Sequence, residues 1–202
     1  MNNAGFFWYT NAMKPFDMQC NAFSVSTYVG EECPNTAAMV ENGLVLVNMP
    51  GQSIRLDAAD DVALFFGIKG KALAGKVYSV NEAIRQRPLI DFRSLLKRFN
   101  LNAEEAEVFI SPSLTFTHLE EGDEVLARVI ELGYGLACKG TSGKHYIDQQ
   151  TLILLQMRAL GVLPENIHTS AYDNYDTPEL KSASRGDEEK NRFVAVLLDE
   201  AL

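Results

Sequence analysis

Histidine and cysteine are scarce in this 202-residue chain, with three of each. His118, His145 and His168 stand far apart, with no HxH or HExxH spacing, so no local metal-binding motif is present. Cys20, Cys33 and Cys138 make an odd number without a CxxC pair. That pattern argues against a disulfide framework and suits free thiols in a reducing compartment. No apolar run approaches the roughly 18 residues of a membrane span. The first fourteen residues lack a basic start followed by a long apolar stretch, so no secretory signal is expected. No block of five like charges, internal repeat, low-complexity tract or linker interrupts the chain. Positive charge is the weaker sign: 18 Lys and Arg face 27 Asp and Glu, a net charge of -9. That balance opposes a nucleic-acid backbone or an anionic membrane as main partner. A single cytoplasmic domain, 1–202, is the expectation, with the oligomeric state left open.

What is present is ordinary globular material, 47% hydrophobic and 22% charged. Aromatic and β-branched residues predict edge-like strands at Gly5–Tyr9 and Ala22–Tyr28. The four aromatics Phe6, Phe7, Trp8 and Tyr9 read as a core strand or an oligomer contact. Glu31–Asn35 reads as a turn. Leu44–Val47 is a short apolar run that stops at Asn48-Met-Pro-Gly51, and Ile54–Leu56 starts another strand. Val62–Ile68 is apolar throughout, the pattern of a strand covered on both faces. Ser79 and Glu82 have capping-box spacing and open a helix through Arg85. Asp91–Phe99 continues in helical period, with Pro88 expected to break or kink the two parts. Glu107–Ile110, Ile167–Ala171 and Phe193–Leu198 read as strands, and Glu121–Tyr134 as an amphipathic helix. Asp148 can cap a helix ending at Gly161. This mixture is α+β.

Several constellations have two readings each. Gly67-Ile-Lys-Gly70-Lys-Ala-Leu-Ala-Gly75 is either a phosphate cradle or a strand-to-helix turn with solvated lysines. The cluster Asp57, Asp60 and Asp61 is either a hard-cation or base site or a solvated acidic turn. Cys138 with His145 is either a nucleophile pair or an inert thiol and an unrelated strand-end histidine. Arg185, in a polar loop, either reaches a phosphate or is a rim charge.

The order of short motifs from residue 42 onward resembles the laccase-domain family, also called polyphenol oxidoreductase-like proteins. Asn42-Gly-Leu-Val-Leu-Val-Asn-Met-Pro-Gly51 is similar to Ala-Asp-Ala-Leu-Val-Thr-Asn-x-Pro-Gly, and Ala58-Ala-Asp-Asp61 to Thr-Ala-Asp-Cys. Phe65-Phe-Gly-Ile-Lys-Gly70 resembles His-Ala-Gly-Trp-Arg-Gly. Ser111-Pro-Ser-Leu and Glu120–Val125 resemble Gly-Pro-x-Ile and Tyr-Glu-Val-Gly-x-Glu-Val. Asp173 and Tyr175 fall on Cys-Thr-Tyr, and Ala183-Ser-Arg185 on Ser-Tyr-Arg. Residues 1–41 match weakly.

The resemblance implies a layered α-β-β-α sandwich with mixed sheets. It also implies a zinc- or copper-dependent purine nucleoside phosphorylase that deaminates adenosine. The family's metal ligands, however, fall on Asp61 and Phe65, and a third, from Gln-Val-His-Gly, has no counterpart. Phenylalanine has no lone pair to donate, and a lone carboxylate does not hold zinc or copper. No cofactor is therefore expected. Asp60 and Asp61 are the candidate catalytic residues, and Lys69, Tyr175 and Arg185 the candidate ligand contacts for a nucleoside or phosphate. Three functions remain in play: a metal-free ligand-binding relative, an active nucleoside enzyme with a rearranged site, and an interaction module using its N-terminal strand.

Overall fold

The structure is a computed structural model, and it describes residues 17–29, 39–41, 43–141 and 143–199. The N-terminal strand and the Glu31–Asn35 turn read from the sequence lie outside these residues, as do Trp8, its aromatic neighbours and Cys33.

In chain order the strands are β1 (Met18–Gln19), β2 (Phe23–Val29), β3 (Met39–Glu41), β4 (Leu44–Val47), β5 (Ser53–Ala58), β6 (Val62–Ile68) and β7 (Ala72–Tyr78). Helices α1 (Val80–Ile84) and α2 (Arg87–Phe99) follow, then β8 (Glu107–Ile110), β9 (Glu120–Glu121) and α3 (Asp123–Glu131). The hairpin β10 (Cys138–Thr141) and β11 (Lys144–Ile147) leads to α4 (Gln149–Leu160), β12 (Ile167–Thr169) and β13 (Asn191–Leu197).

A four-stranded sheet has the order β1-β2-β13-β5, and a six-stranded sheet the order β12-β8-β6-β7-β4-β3. The second is mixed, because β12 runs parallel to β8 while its other pairs are antiparallel. A small sheet, β10-β11-β9, stands apart.

β6 carries the design. All seven of its residues are buried. Its alternation sends Ala63 and Phe65 into a core shared with Phe23, Ile54, Leu56 and Phe193 of the four-stranded sheet. Val62, Leu64, Phe66 and Ile68 turn instead to a core built with Phe92, Leu95, Ile153 and Met157 from the helices. Period-2 alternation with both faces covered is what the continuous apolar run encodes. The α+β sandwich is thus present, with one mixed and one antiparallel main sheet, and the described helices cover the outer side of the six-stranded sheet. Among the described residues, no helix is long and apolar enough to cross a membrane.

Local signals explain most boundaries. The Ser79 side chain accepts from Glu82 N, and the Glu82 carboxylate takes the Ser79 N–H at 3.1 Å, completing the capping box. Asp148 accepts from Thr151 N at 3.0 Å, and Gly161, at φ 108°, ends α4. Two expectations change. The helical break falls at Gln86, in the left-handed region with φ 57°, and Pro88 sits in the first turn of α2. Proline is tolerated there because that N–H has no intrahelical partner. β2 is also no edge, being flanked by β1 and β13.

The larger correction concerns Gly67–Gly75. It is neither a phosphate cradle nor a strand-to-helix turn, but the hairpin joining β6 to β7, with Ile68 paired to Ala72. Gly67 and Gly75 lie within the strands because neighbours need the space. A Cβ on Gly67 would overlap the Phe23 ring, with Cε1 at 2.8 Å, and one on Gly75 would stand 3.0 Å from Phe65 Cδ1. Phe23 is fully buried and cannot retreat. Gly67→Ala should therefore lower the unfolding free energy by about 1–3 kcal/mol, the usual cost of overpacking a tight core. Gly75→Ala, meeting softer contacts, should cost less. Urea unfolding of the two variants checks the order; equal midpoints would contradict the packing described.

Candidate functional site

The start of β6, the end of β8 and the loop before β13 meet at one end of the sandwich. Ser111 N donates to Ala63 O at 3.0 Å and Leu114 N to Asp60 O at 3.4 Å, closing the β6 and β8 ends together. The loop from 170 to 190 lies across them. Asn174 N donates to Ser113 O at 3.2 Å, and the Asn174 side chain donates to Ala59 O. Ala171 enters this loop at φ 57°, a left-handed conformation uncommon outside glycine.

Asp60 and Arg185 both belong to this end, and both are engaged internally. Asp60 Oδ1 accepts from Ser182 Oγ at 2.7 Å. Its Oδ2 accepts from Ser184 N at 2.8 Å and Ser184 Oγ at 2.7 Å. The Arg185 guanidinium donates from Nη1 to the carbonyls of Asn174, Tyr175 and Thr177 at 3.1, 3.0 and 3.3 Å. Nη2 donates to the Leu180 carbonyl, and Nη2 and Nε reach Asp187 Oδ2 at 2.5 and 3.1 Å. A planar fork with five donors suits this fan of acceptors. Arg185 is therefore a staple for the loop, and Asp60 is its second anchor. The sequence gives no role to Ser182, Asn174 or Ser184, the last present only inside the Ala183–Arg185 motif, yet all three complete the anchoring.

Tyr175, 38% exposed, presents its ring at this end. It stacks on His118 with ring centroids 4.1 Å apart and 25° between planes. His118 Nε2 lies 2.9 Å from Asp176 Oδ1. Asp173 Oδ2 accepts from Thr115 N and Oγ1 at 2.8 and 2.7 Å, and Oδ1 accepts from Tyr175 N at 2.8 Å. Asp61 is exposed beside the anchor. Partial desolvation, then the negative charges of Asp60 and Glu82, hold its carboxyl above the usual aspartate range, against the pull of Lys190. The open face thus combines an aromatic stack with carboxylates.

Lys69 does not belong here. It sits in the β6–β7 turn, eight residues from Asp61, or roughly 26 Å along an extended strand. Phe65 is also remote. Four residues of strand place it roughly 13 Å from Asp61, fully buried with its ring 6.4 Å from that of Phe109. Asp61 and Phe65 consequently cannot describe two ligands of one ion.

Cys138 and His145 form no nucleophile pair. His145 Nε2 is 2.7 Å from Asp123 Oδ1, and burial pushes the Cys138 thiol up. A cleft of about 390 Å³ between β4 and α2, lined by Leu44, Leu46, Ile90, Leu95 and their neighbours, is elsewhere and holds none of these groups.

His118, Asp173 and Asp176 bring one ligand atom each within 4.8 Å of one another. One imidazole and two carboxylates, one of them accepting three hydrogen bonds, do not match the imidazole and thiolate sets that hold copper. The donors at this end therefore do not fit a multi-copper centre.

Residues 48–198 match the family model described as multi-copper polyphenol oxidoreductase laccase. No curated protein matches the chain. Among solved structures it is similar to Bacillus licheniformis hypothetical protein YfiH, at 13% identity and TM-score 0.69, covering 77% of this chain and 61% of that one. It is similar to YlmD from Geobacillus stearothermophilus at 16% identity and TM-score 0.69, covering 78% and 61%. For Neisseria meningitidis protein NMB0706 the values are 16%, 0.64, 77% and 64%. The chain thus spans under two thirds of the length of these structures, and the likeness concerns the fold.

Proposed function

The chain belongs to the multi-copper polyphenol oxidoreductase laccase family, and from that premise we propose a relative that binds a small ligand without the family's metal-dependent chemistry. The observation that carries this reading is the donor set around the start of β6. Asp60 is engaged by Ser182 and Ser184, Arg185 by its own loop, and the remaining cluster offers a single imidazole. With Asp173 already accepting three hydrogen bonds, such a set is a poor match for the three committed ligands and open position that a metal-activated water requires.

The open face also selects its ligand. With Lys69 at the far end of β6 and Arg185 occupied, the carboxylates of Asp61 and Asp176 dominate it. An anion such as phosphate is repelled there. A neutral aromatic molecule bearing hydrogen-bond donors, of the nucleoside class, can stack on Tyr175 and donate to those carboxylates. Thermal unfolding of the full chain with adenosine, inosine or phosphate tests this. A nucleoside at a hundred times its dissociation constant should stabilise by about 2.7 kcal/mol, a rise of roughly 5–10 °C at this size. Tyr175→Ala should abolish the rise. Phosphate should give none, and no base or ammonia should be released. A nucleoside without effect defeats the reading.

A second reading rests on Asp61. A carboxyl held above its usual range at an open face is suited to proton transfer. Phosphate-dependent release of the base, lost in Asp61→Asn, would establish an active enzyme instead.

A further inference from the structure

The opposite end of β8 carries a second cluster, unconnected with the one above. Glu107, the first residue of β8, is 6% exposed. Its Oε1 accepts from Asn21 Nδ2 at 3.0 Å and its Oε2 from Ala22 N at 2.5 Å. Cys20 lies in the turn between β1 and β2, and its thiol donates to the Phe23 carbonyl at 3.1 Å. His168 is on β12, in parallel register with Phe109 of β8. Its Nε2 is buried and has no hydrogen-bond partner among the described residues. One ligand atom each from Cys20, Glu107 and His168 lies within 4.8 Å of the others.

We propose that Cys20, Glu107 and His168 form a binding site for a divalent cation of the zinc class. Thiolate, imidazole and carboxylate together are a borderline donor set, suited to zinc in tetrahedral geometry; magnesium and calcium require oxygen donors throughout. Zinc bonds of about 2.0–2.3 Å place tetrahedral donors roughly 3.3–3.8 Å apart. The ligand atoms now lie within 4.8 Å of one another, at most about 1 Å beyond that range. The three residues supply three positions, and the half-buried Cys20 and His168 leave the fourth to water.

The chemistry balances without an oxidant. The ion replaces the thiol proton, which passes to solvent. The orphan imidazole nitrogen gains a partner, and Glu107 gains a cation beside its hydrogen bonds from Asn21 and Ala22. The site joins the turn before β2, in the four-stranded sheet, to the parallel edge of the six-stranded sheet. A bound ion would therefore staple the two sheets at a place that the Glu107 hydrogen bonds to Asn21 and Ala22 already tie together. The inference does not depend on the ligand reading above, since it uses none of the same residues.

Cobalt(II) titrated into the chelator-treated full chain is the test. A thiolate-to-cobalt charge-transfer band in the near ultraviolet should saturate at one equivalent and disappear on adding zinc. Cys20→Ser and His168→Gln should each abolish it. Cys33→Ser, Cys138→Ser and His118→Gln should each retain it. Zinc should also raise the melting temperature of the unaltered chain but not of His168→Gln. No sulfur band at one equivalent overturns the proposal, as does a band that survives in Cys20→Ser. Should Cys20→Ser fail to fold, His168→Gln decides alone, and a band retained there overturns it.

Discussion

Asp91→Ala should unfold the protein at a temperature roughly 6–12 °C below that of the unaltered chain, the shift that about 3 kcal/mol produces at this size. Asp91 lies on α2 with its side chain 6% exposed, and receives Lys76 Nζ at 3.1 Å and Arg87 Nη2 at 3.2 Å. Tyr78 OH donates to the same carboxylate at 3.1 Å. Burial first, and then the Asp91 charge, hold the Tyr78 hydroxyl well above its ordinary range, so it stays a donor. Removing the carboxylate strands Lys76, whose side chain is 15% exposed. The loss falls at the low end for a broken buried pair, because Lys76 keeps Glu82 at 3.3 Å. Lys76→Met and Tyr78→Phe combined with Asp91→Leu should recover most of it, since well-packed apolar residues replace such networks at little cost. Calorimetry of the two variants checks this, and an unchanged melting temperature in Asp91→Ala would mean the network is solvated. The effect reaches the functional end: Tyr78 pairs with Val62 beside Asp61, and its carbonyl accepts from Gln149 Nε2 at 2.7 Å.

The elements most legible in the sequence are those whose cause is local. Val62–Ile68 reads as a doubly covered strand because every position is apolar, and the caps at Ser79 and Asp148 read because their partners are three residues away. β7 did not read, and the reason is physical. Ala72–Tyr78 contains Gly75 and Lys76, which imitate a turn, and what makes it a strand is the bulk of Phe65 and Leu56 opposite. That bulk is visible only once strands separated in sequence are side by side. The glycines mark tight packing, although the same letters suit an anion cradle.

The candidate site divides in the same way. Asp60, Asp61, Tyr175 and Arg185 do come together, as their order in the family-like motifs suggests. The role of Asp60 depends on partners more than a hundred residues away, since it meets Ser182 and Ser184 across the fold. Arg185 meets carbonyls of its own loop, which no side-chain pattern announces. Lys69 joins them only through the family-like motif Phe65–Gly70, and an extended strand carries it to the other end. The pairing of Cys20, Glu107 and His168 had no signal in the sequence, because a turn, a strand start and a short parallel strand converge only in the folded chain.

Arg185→Lys should release the loop over Asp60 and leave the sheets intact. Lysine keeps the charge but reaches one or two acceptors, against the five residues that the guanidinium now holds. Losing even one charge-assisted hydrogen bond to a carbonyl, worth about 1.5–3 kcal/mol, speeds local opening about tenfold or more. The expected result is faster amide hydrogen exchange across residues 173–187, with rates in β6, β7 and β8 unchanged. Asp60→Asn should loosen the same loop less, because an amide still accepts from one serine. Acid should imitate both. The Ser182 N–H, followed by the Arg185 side chain, holds the Asp187 carboxyl below its usual range. A depressed carboxyl contributes its stabilisation above the ordinary aspartate range and loses it as pH falls through the lower folded value. Loop exchange should thus rise in that acidic window before the sheets respond. Because the loop carries Tyr175, Arg185→Lys should also remove the nucleoside-induced rise in melting temperature while the unliganded melting temperature changes little. Unaltered exchange in 173–187, or a nucleoside response that persists in the lysine variant, would mean that the loop is held by something other than this guanidinium.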